Sequence, residues 1–220
     1  MGYASIKASS KGGKDFEPIP AGVHFAICNK VIYLGLQKIE YKGEVKIQPK
    51  VWIGFEFPDN LREYEDKNGD KKSAPMVAGR EFTLNIGEKS NLGPFLTSWR
   101  GRPFSADELE SFEITSIAGK PCQISIIHVE KNGKTYANIN AAIQLGKDAK
   151  AAIQSGARSL KTFNEVVVYS PESHDQYMWE QLPEFLQKKI EARVPEETAN
   201  ASAQSTITEE PPPYDDDIPF

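Results

Sequence analysis

The chain has 220 residues, 39% of them hydrophobic and 26% charged, with a formal net charge of -5. That is enough for one globular domain with extensions. No apolar run approaches the roughly 20 residues of a membrane-spanning helix, and the N-terminus lacks the apolar stretch of a secretory signal, so the expectation is a soluble intracellular protein. The charge is unevenly spread: residues 1–168 hold 23 Lys and Arg against 19 Asp and Glu, whereas residues 169–220 hold 3 against 12. A mildly basic body followed by an acidic tail points to nucleic acid for the first and a protein partner for the second.

Residues 1–17 contain SIKASSKGGKDFE, whose Ser, Gly and Lys suit a flexible basic arm. From residue 18 to 192 the pattern is that of a folded domain. VHFAICNKVIYLGL (23–36) predicts a long strand, with Gly35 as a place to bend. KIQPKVWIGFEF (46–57) alternates, placing Val51, Ile53, Phe55 and Phe57 on a core face and Trp52, Gly54 and Glu56 opposite. The polar stretch 61–79 carries Asn68-Gly69, a turn signal, and is expected as an exposed loop or protruding hairpin. REFTLNIG (80–87) alternates again, giving a third strand with Phe82, Leu84 and Ile86 inward.

Ser90 caps a predicted helix over 91–99, whose Leu92, Phe95, Leu96 and Trp99 share one face; Pro94 is tolerated in the first turn. Ser105-Ala106-Asp107-Glu108 has the form of a capping box. CQISIIHVE (122–130) and TYANINAAIQL (135–145), joined through Asn132-Gly133, predict a β-hairpin. Three strands, a helix and two strands are the element order of an OB-fold, a mainly β, five-stranded, partly open barrel with its helix between strands three and four. NEVVVYS (164–170) offers a sixth strand, and 176–190, broken near Pro183, a helix packing on the barrel through Met178, Leu182, Phe185, Leu186 and Ile190. Residues 193–220 carry too little apolar content to build a core and are expected to be disordered.

Motifs for catalysis fail on inspection. Gly133-Lys134-Thr135 resembles the end of a phosphate loop, but His128 stands where its first glycine belongs and the string sits in a hairpin. Asp66, Asn68 and Asp70 open like a calcium loop, yet Lys71 replaces the turn glycine and Val77 the bidentate glutamate. His24, His128 and His174 are not spaced as ligands, and Cys28 and Cys122 lack zinc spacing and are expected as buried thiols. The expectation is a non-enzyme with no cofactor and no metal.

Outward aromatics among basic residues are the positive signal, since single strands are held by a cationic groove and by rings on which bases stack. Trp52, with Lys50 beside it, is the leading stacking candidate; packing under a loop or at a dimer contact is the alternative for the same residue. Tyr33 with Lys30, and Tyr136 with Lys134, are further candidates, and Arg80, Lys89, Arg100 and Arg102 are candidate phosphate contacts. Trp99 is assigned to the core by its helical spacing.

The final residues, Asp215-Asp216-Asp217-Ile218-Pro219-Phe220, closely resemble the acidic C-terminal tip of bacterial single-stranded DNA-binding proteins, which follows an OB-fold and a linker. That resemblance implies a docking element for replication, recombination and repair proteins, with Phe220 entering an apolar pocket and the aspartates meeting a basic rim. The body is similar to the divergent OB-fold single-stranded DNA-binding proteins of bacteriophages in IPAGVHFAICNKVIYLG, EKSNLGPFLTSWRGRPF and GKTYANI. Taken together, the resemblances imply a non-sequence-specific single-stranded DNA-binding protein of phage replication or recombination in the bacterial cytoplasm, with a homo-oligomer as an open possibility. The rival expectation is an OB-fold interaction adaptor that does not bind DNA itself.

Overall fold

The computed structural model describes residues 17–41, 43–66, 68–87 and 89–195. The predicted arm falls almost wholly, and the tail from residue 196 onward wholly, outside them. β1 (Gly22–Tyr41), β2 (Glu44–Glu65) and β3 (Lys71–Thr83) form an antiparallel meander. It leads through α1 (Leu92–Arg100) and α2 (Ala106–Ser111) to the hairpin of β4 (Pro121–Lys131) and β5 (Lys134–Ile143). The sheet order is β3-β2-β1-β4-β5, and the two end strands approach each other to give a nearly closed, OB-like barrel with α1 between its third and fourth strands, as the element order predicted. Arg80 sits at the seam: its Nη1 donates from β3 to the Ile139 (3.2 Å) and Asn140 (3.0 Å) carbonyls of β5.

The barrel core follows the alternation in the sequence. Val51, Ile53, Phe55 and Phe57 from β2 are fully buried with Val31, Phe82, Ile124 and Ile126, and α1 closes one end with Leu92, Phe95, Leu96 and Trp99. Trp99 packs on Phe55 with ring centroids 5.5 Å apart, and its indole N–H donates to the Pro121 carbonyl at 3.0 Å, which satisfies its one polar atom inside the core. α1 starts one residue later than predicted, with Asn91 as its N-cap, and Ser90 just before it accepts from the Gly93 amide through Oγ at 2.9 Å. The capping box of α2 is also present, with Ser105 and Glu108 exchanging bonds.

Both hairpins form where the turn residues direct. Asn132 (φ 54°) and Gly133 (φ 71°) are both left-handed, the backbone of the two-residue turn that matches strand twist. In the β2–β3 turn, Asp66 Oδ1 accepts from the Asn68 and Asp70 amides while Oδ2 pairs with Lys72 at 2.6 Å. Lys72 and the turn amides hold the Asp66 carboxyl below its usual range. The strands run further than the sequence predicted: β2 and β3 extend to residue 65 and from residue 71, a two-stranded arm, whereas Leu84 and Ile86 lie past the end of β3 and pack on the core from the following loop.

The C-terminal part covers the outside of the sheet. After α3 (Lys147–Gln154), a helix the sequence analysis did not assign, β6 (Val167–Tyr169) pairs in parallel with β1, and α4 (Gln176–Glu180) and α5 (Glu184–Glu191) follow. Pro183 is the N-cap of α5 and marks the predicted break. Here Ile32 and Leu34 of β1 join Val167, Tyr169, Leu182, Leu186 and Ile190 in a second core. The edge is fixed by Val194, whose amide donates to the Leu36 carbonyl at 2.7 Å. Cys28 and Cys122 are free and buried, as expected, and burial pushes the Cys28 thiol up to about 12.

Candidate nucleic-acid interface

The outer face of β1 and β2, where alternation places the stacking candidate, is occupied. Trp52 does point away from the barrel core, but it packs in the second core against Phe185, with centroids 5.3 Å apart and planes at 74°. Its ring also lies so close to Gly79 that a Cβ there would meet it at 2.5 Å, so β3 can pass the indole only with glycine at that position. Of its two expected roles, Trp52 fills the packing one, because α5 covers the face on which a base would lie.

The neighbouring residues are committed in similar ways. Glu56 is 1% exposed and accepts three hydrogen bonds, from the Phe163 and Asn164 amides (2.7 and 2.8 Å) and Asn164 Nδ2 (2.6 Å). A buried carboxylate survives because fixed donors replace its water, and it ties the 163–164 loop to β2. Lys30 is half-buried beneath the same extension, donating to the Gln181 carbonyl at 3.5 Å; burial lowers its pKa, with Glu165 and Glu56 opposing the shift. Lys50 donates to Thr83 Oγ1 at 2.8 Å between β2 and β3, and Tyr33 is half-buried opposite Val51.

Among the candidate phosphate contacts, Arg80 is engaged at the barrel seam and lies over Phe82, and burial lowers its pKa. Arg100 and Arg102 converge on Glu108, at 2.5 and 2.6 Å from its Oε1, and Arg100 stacks on Phe104 at 4.0 Å. Together they brace the α1–α2 connection. Lys89 is exposed in the loop before α1. The tip residues Asp215, Asp216, Asp217, Ile218, Pro219 and Phe220 lie outside the described residues.

Lys134 and Tyr136 lie at another part of the barrel. Both line an open cleft of about 630 Å³ between the β2–β3 arm and the β4–β5 hairpin. Its other walls include Arg62 and Met76, Val77 and Ala78 of β3, and its lining also includes Pro18, Ile19 and one acidic residue, Glu17. The floor is pinned by His128, whose Nε2 donates to the Ile19 carbonyl at 2.8 Å. Tyr136 is 47% exposed and Val77 51%, so aromatic and aliphatic surface is presented to solvent beside two cationic side chains.

The arm extends this surface. Arg62 pairs with Ala74 and Tyr64 with Lys72 in the β2–β3 register, and residues directly opposite in an antiparallel pair share a face. Arg62, Tyr64 and Lys72 thus share one face running outward from the cleft, with Lys72 paired to Asp66, while Glu63 and Glu65 lie on the other face. These residues were missed in the sequence, although the signal was there: once the hairpin turn is centred on Asn68-Gly69, the strand period assigns every residue of 61–65 to a face.

The described residues hold no cluster of His, Cys, Asp or Glu able to bind a metal ion, and among them no helix is long and apolar enough to cross a membrane. No protein-family model matches the chain, and no curated protein matches it in sequence.

Proposed function

We propose that this chain binds single-stranded DNA with little sequence preference, in the cleft between its two long hairpins. The observation that carries the proposal is the placement of Tyr136, Lys134 and Arg62 around an open cleft of an OB-like barrel. The strand 2–3 face and the loop between strands 4 and 5 are the parts of this architecture that hold oligonucleotides in other proteins. Tyr136, and Tyr64 further along the arm, offer rings to unstacked bases, each stack contributing roughly 1–3 kcal/mol. Lys134 and Arg62 meet phosphates along the strand, and the apolar wall of Met76 and Val77 accepts base edges without reading them. Duplex DNA is disfavoured because its bases are not free to stack.

The acidic tip, by its resemblance to that of bacterial single-stranded DNA-binding proteins, recruits replication, recombination or repair proteins to the covered strand. The test is a titration of labelled oligo-dT and of duplex against wild type and Tyr136→Ala at two salt concentrations. Binding should favour the single strand, weaken as salt rises through release of counterions, and lose about 1–3 kcal/mol in the variant. Absence of oligo-dT binding, together with retained binding to partner proteins, would establish the adaptor reading instead.

A further inference from the structure

The chain enters the cleft at a fixed point. Glu17, Pro18 and Ile19 line it together with Arg62, Lys134 and Tyr136. Ile19 is 4% exposed and its carbonyl accepts from His128 Nε2 of β4 at 2.8 Å, while the Pro20 carbonyl accepts from His24 Nε2 of β1 at 2.7 Å. Histidines from two neighbouring strands thus hold the backbone of 19–20 in place, so the part of the chain that precedes Glu17 starts from the cleft and from nowhere else on the barrel.

Residues 1–16 carry Lys7, Lys11 and Lys14 against a single acid, Asp15, and Ser9, Ser10, Gly12 and Gly13 stand between the lysines without adding bulk or charge. The order of charges along the chain matters. Asp15 and Glu17 are at the root, where they turn phosphates away from Pro18 and Ile19, and the three cations lie further out. Inside the cleft Arg62 and Lys134 are set against Glu17, a small surplus for a ligand with one charge per nucleotide.

We infer that residues 1–14 cross the open side of the cleft when a single strand lies in it, with Lys7, Lys11 and Lys14 on its phosphates, so that the strand is held between this segment and the two hairpins. The inference rests on the cleft being the DNA site. Lys14 and Lys7 are 3 and 10 residues from Glu17, at most about 11 and 36 Å of extended chain, so the three cations are staggered across the mouth. A lysine ammonium is a point charge that meets a phosphate from many directions, which suits binding with little sequence preference. Each phosphate neutralised on a single strand adds about 0.7 to the slope of log affinity against log salt. Three lysines therefore account for about 2 in the slope, equivalent to about 100-fold in affinity at 0.1 M salt and fading towards 1 M.

The test compares the full chain with a Lys7→Ala, Lys11→Ala, Lys14→Ala variant in titrations of labelled oligo-dT at four salt concentrations. The slope should become shallower by about 2, with the loss seen mainly as faster dissociation. A control variant, Lys147→Ala, Lys150→Ala, Lys161→Ala, removes the same charge from exposed positions that do not line the cleft and should keep the wild-type slope. A nitroxide on Ser10→Cys, selective because both native cysteines are buried, should broaden the amide signals of Val77, Tyr136 and Ala137 once oligo-dT is bound. A wild-type slope in the first variant, an equal change in the control, or broadening confined to residues outside the cleft would each overturn the inference while Tyr136→Ala still marked the cleft as the DNA site. Wild-type affinity in Tyr136→Ala would instead sink the cleft reading and this inference with it.

Discussion

The two faces of β1 and β2 are both buried, but by different partners. On the inner face Val31, Val51, Ile53 and Phe55 meet α1, β4 and β5 across the barrel. On the outer face Ile32, Leu34 and Trp52 meet β6, α4 and α5. Had the outer face been open, Trp52 and Lys30 would have made it the natural place for a single strand. Because the extension covers it, the exposed aromatic and cationic groups of the barrel are found at the hairpin cleft. The contrast teaches that strand alternation decides which side a residue faces, whereas what lies on that side depends on segments more than a hundred residues away.

Trp99→Ala on the inner side should have the largest effect, a loss of roughly 3–5 kcal/mol from the emptied volume and from the orphaned Pro121 carbonyl, measured by urea unfolding. A milder loss would show that the barrel can collapse around the missing indole. Trp52→Ala on the outer side should cost less, about 2–3 kcal/mol, because the ring is only partly buried. In the fraction that remains folded, oligo-dT affinity should be unaltered. A clear loss of affinity without destabilisation would erase the distinction between the faces and return Trp52 to the binding site.

Glu56→Gln sharpens the comparison further, since it leaves the packing and removes the charge that three donors address. The amides of Phe163 and Asn164 would lose a charge-assisted acceptor, at about 1–3 kcal/mol. Hydrogen exchange should then speed up in residues 163–169 and leave α1 unchanged.

The smallest effect is electrostatic and lies beside the inner core. Arg102, the Ser105 amide and Arg100 together hold the Glu108 carboxyl below its usual 4.5, at about 2. A carboxyl whose value falls on folding stabilises the fold fully above its ordinary range, and the contribution disappears as pH drops from about 4.5 towards about 2. The Glu108 side chain is 31% exposed and solvent screens its ion pairs, so the change in stability over that window should be slight. Its carboxyl signal should nevertheless titrate late, and Arg102→Ala should return the midpoint towards 4.5.

Much of the barrel was legible because local rules and tertiary structure agree there. The alternation of 51–57, the i, i+3, i+4 spacing of Leu92, Phe95, Leu96 and Trp99, and the Asn132-Gly133 turn each specify one geometry, and each is found. The helix α3 escaped because its Lys147–Gln154 stretch contributes no fully buried residue, leaving a weak apolar period to detect. In the site, Lys134 and Tyr136 were identified next to their turn, while Arg62 and Tyr64 required the register of the arm.

The sequence by itself determined the core strands, the turns, the main helix and the inward face of residues 51–57, since these depend on neighbours within a few residues. Only the tertiary structure decided what each outward residue contacts. Arg80 is drawn to β5 because the barrel seam leaves carbonyls to satisfy, Arg100 and Arg102 are drawn to Glu108 because α2 folds back on α1, and Trp52 is covered because the apolar face of α5 has no other surface on which to be buried. Each outcome rests on a contact between residues distant in the chain or on packing that no local pattern encodes, and such contacts decide whether a cation or an aromatic ring is left for a ligand.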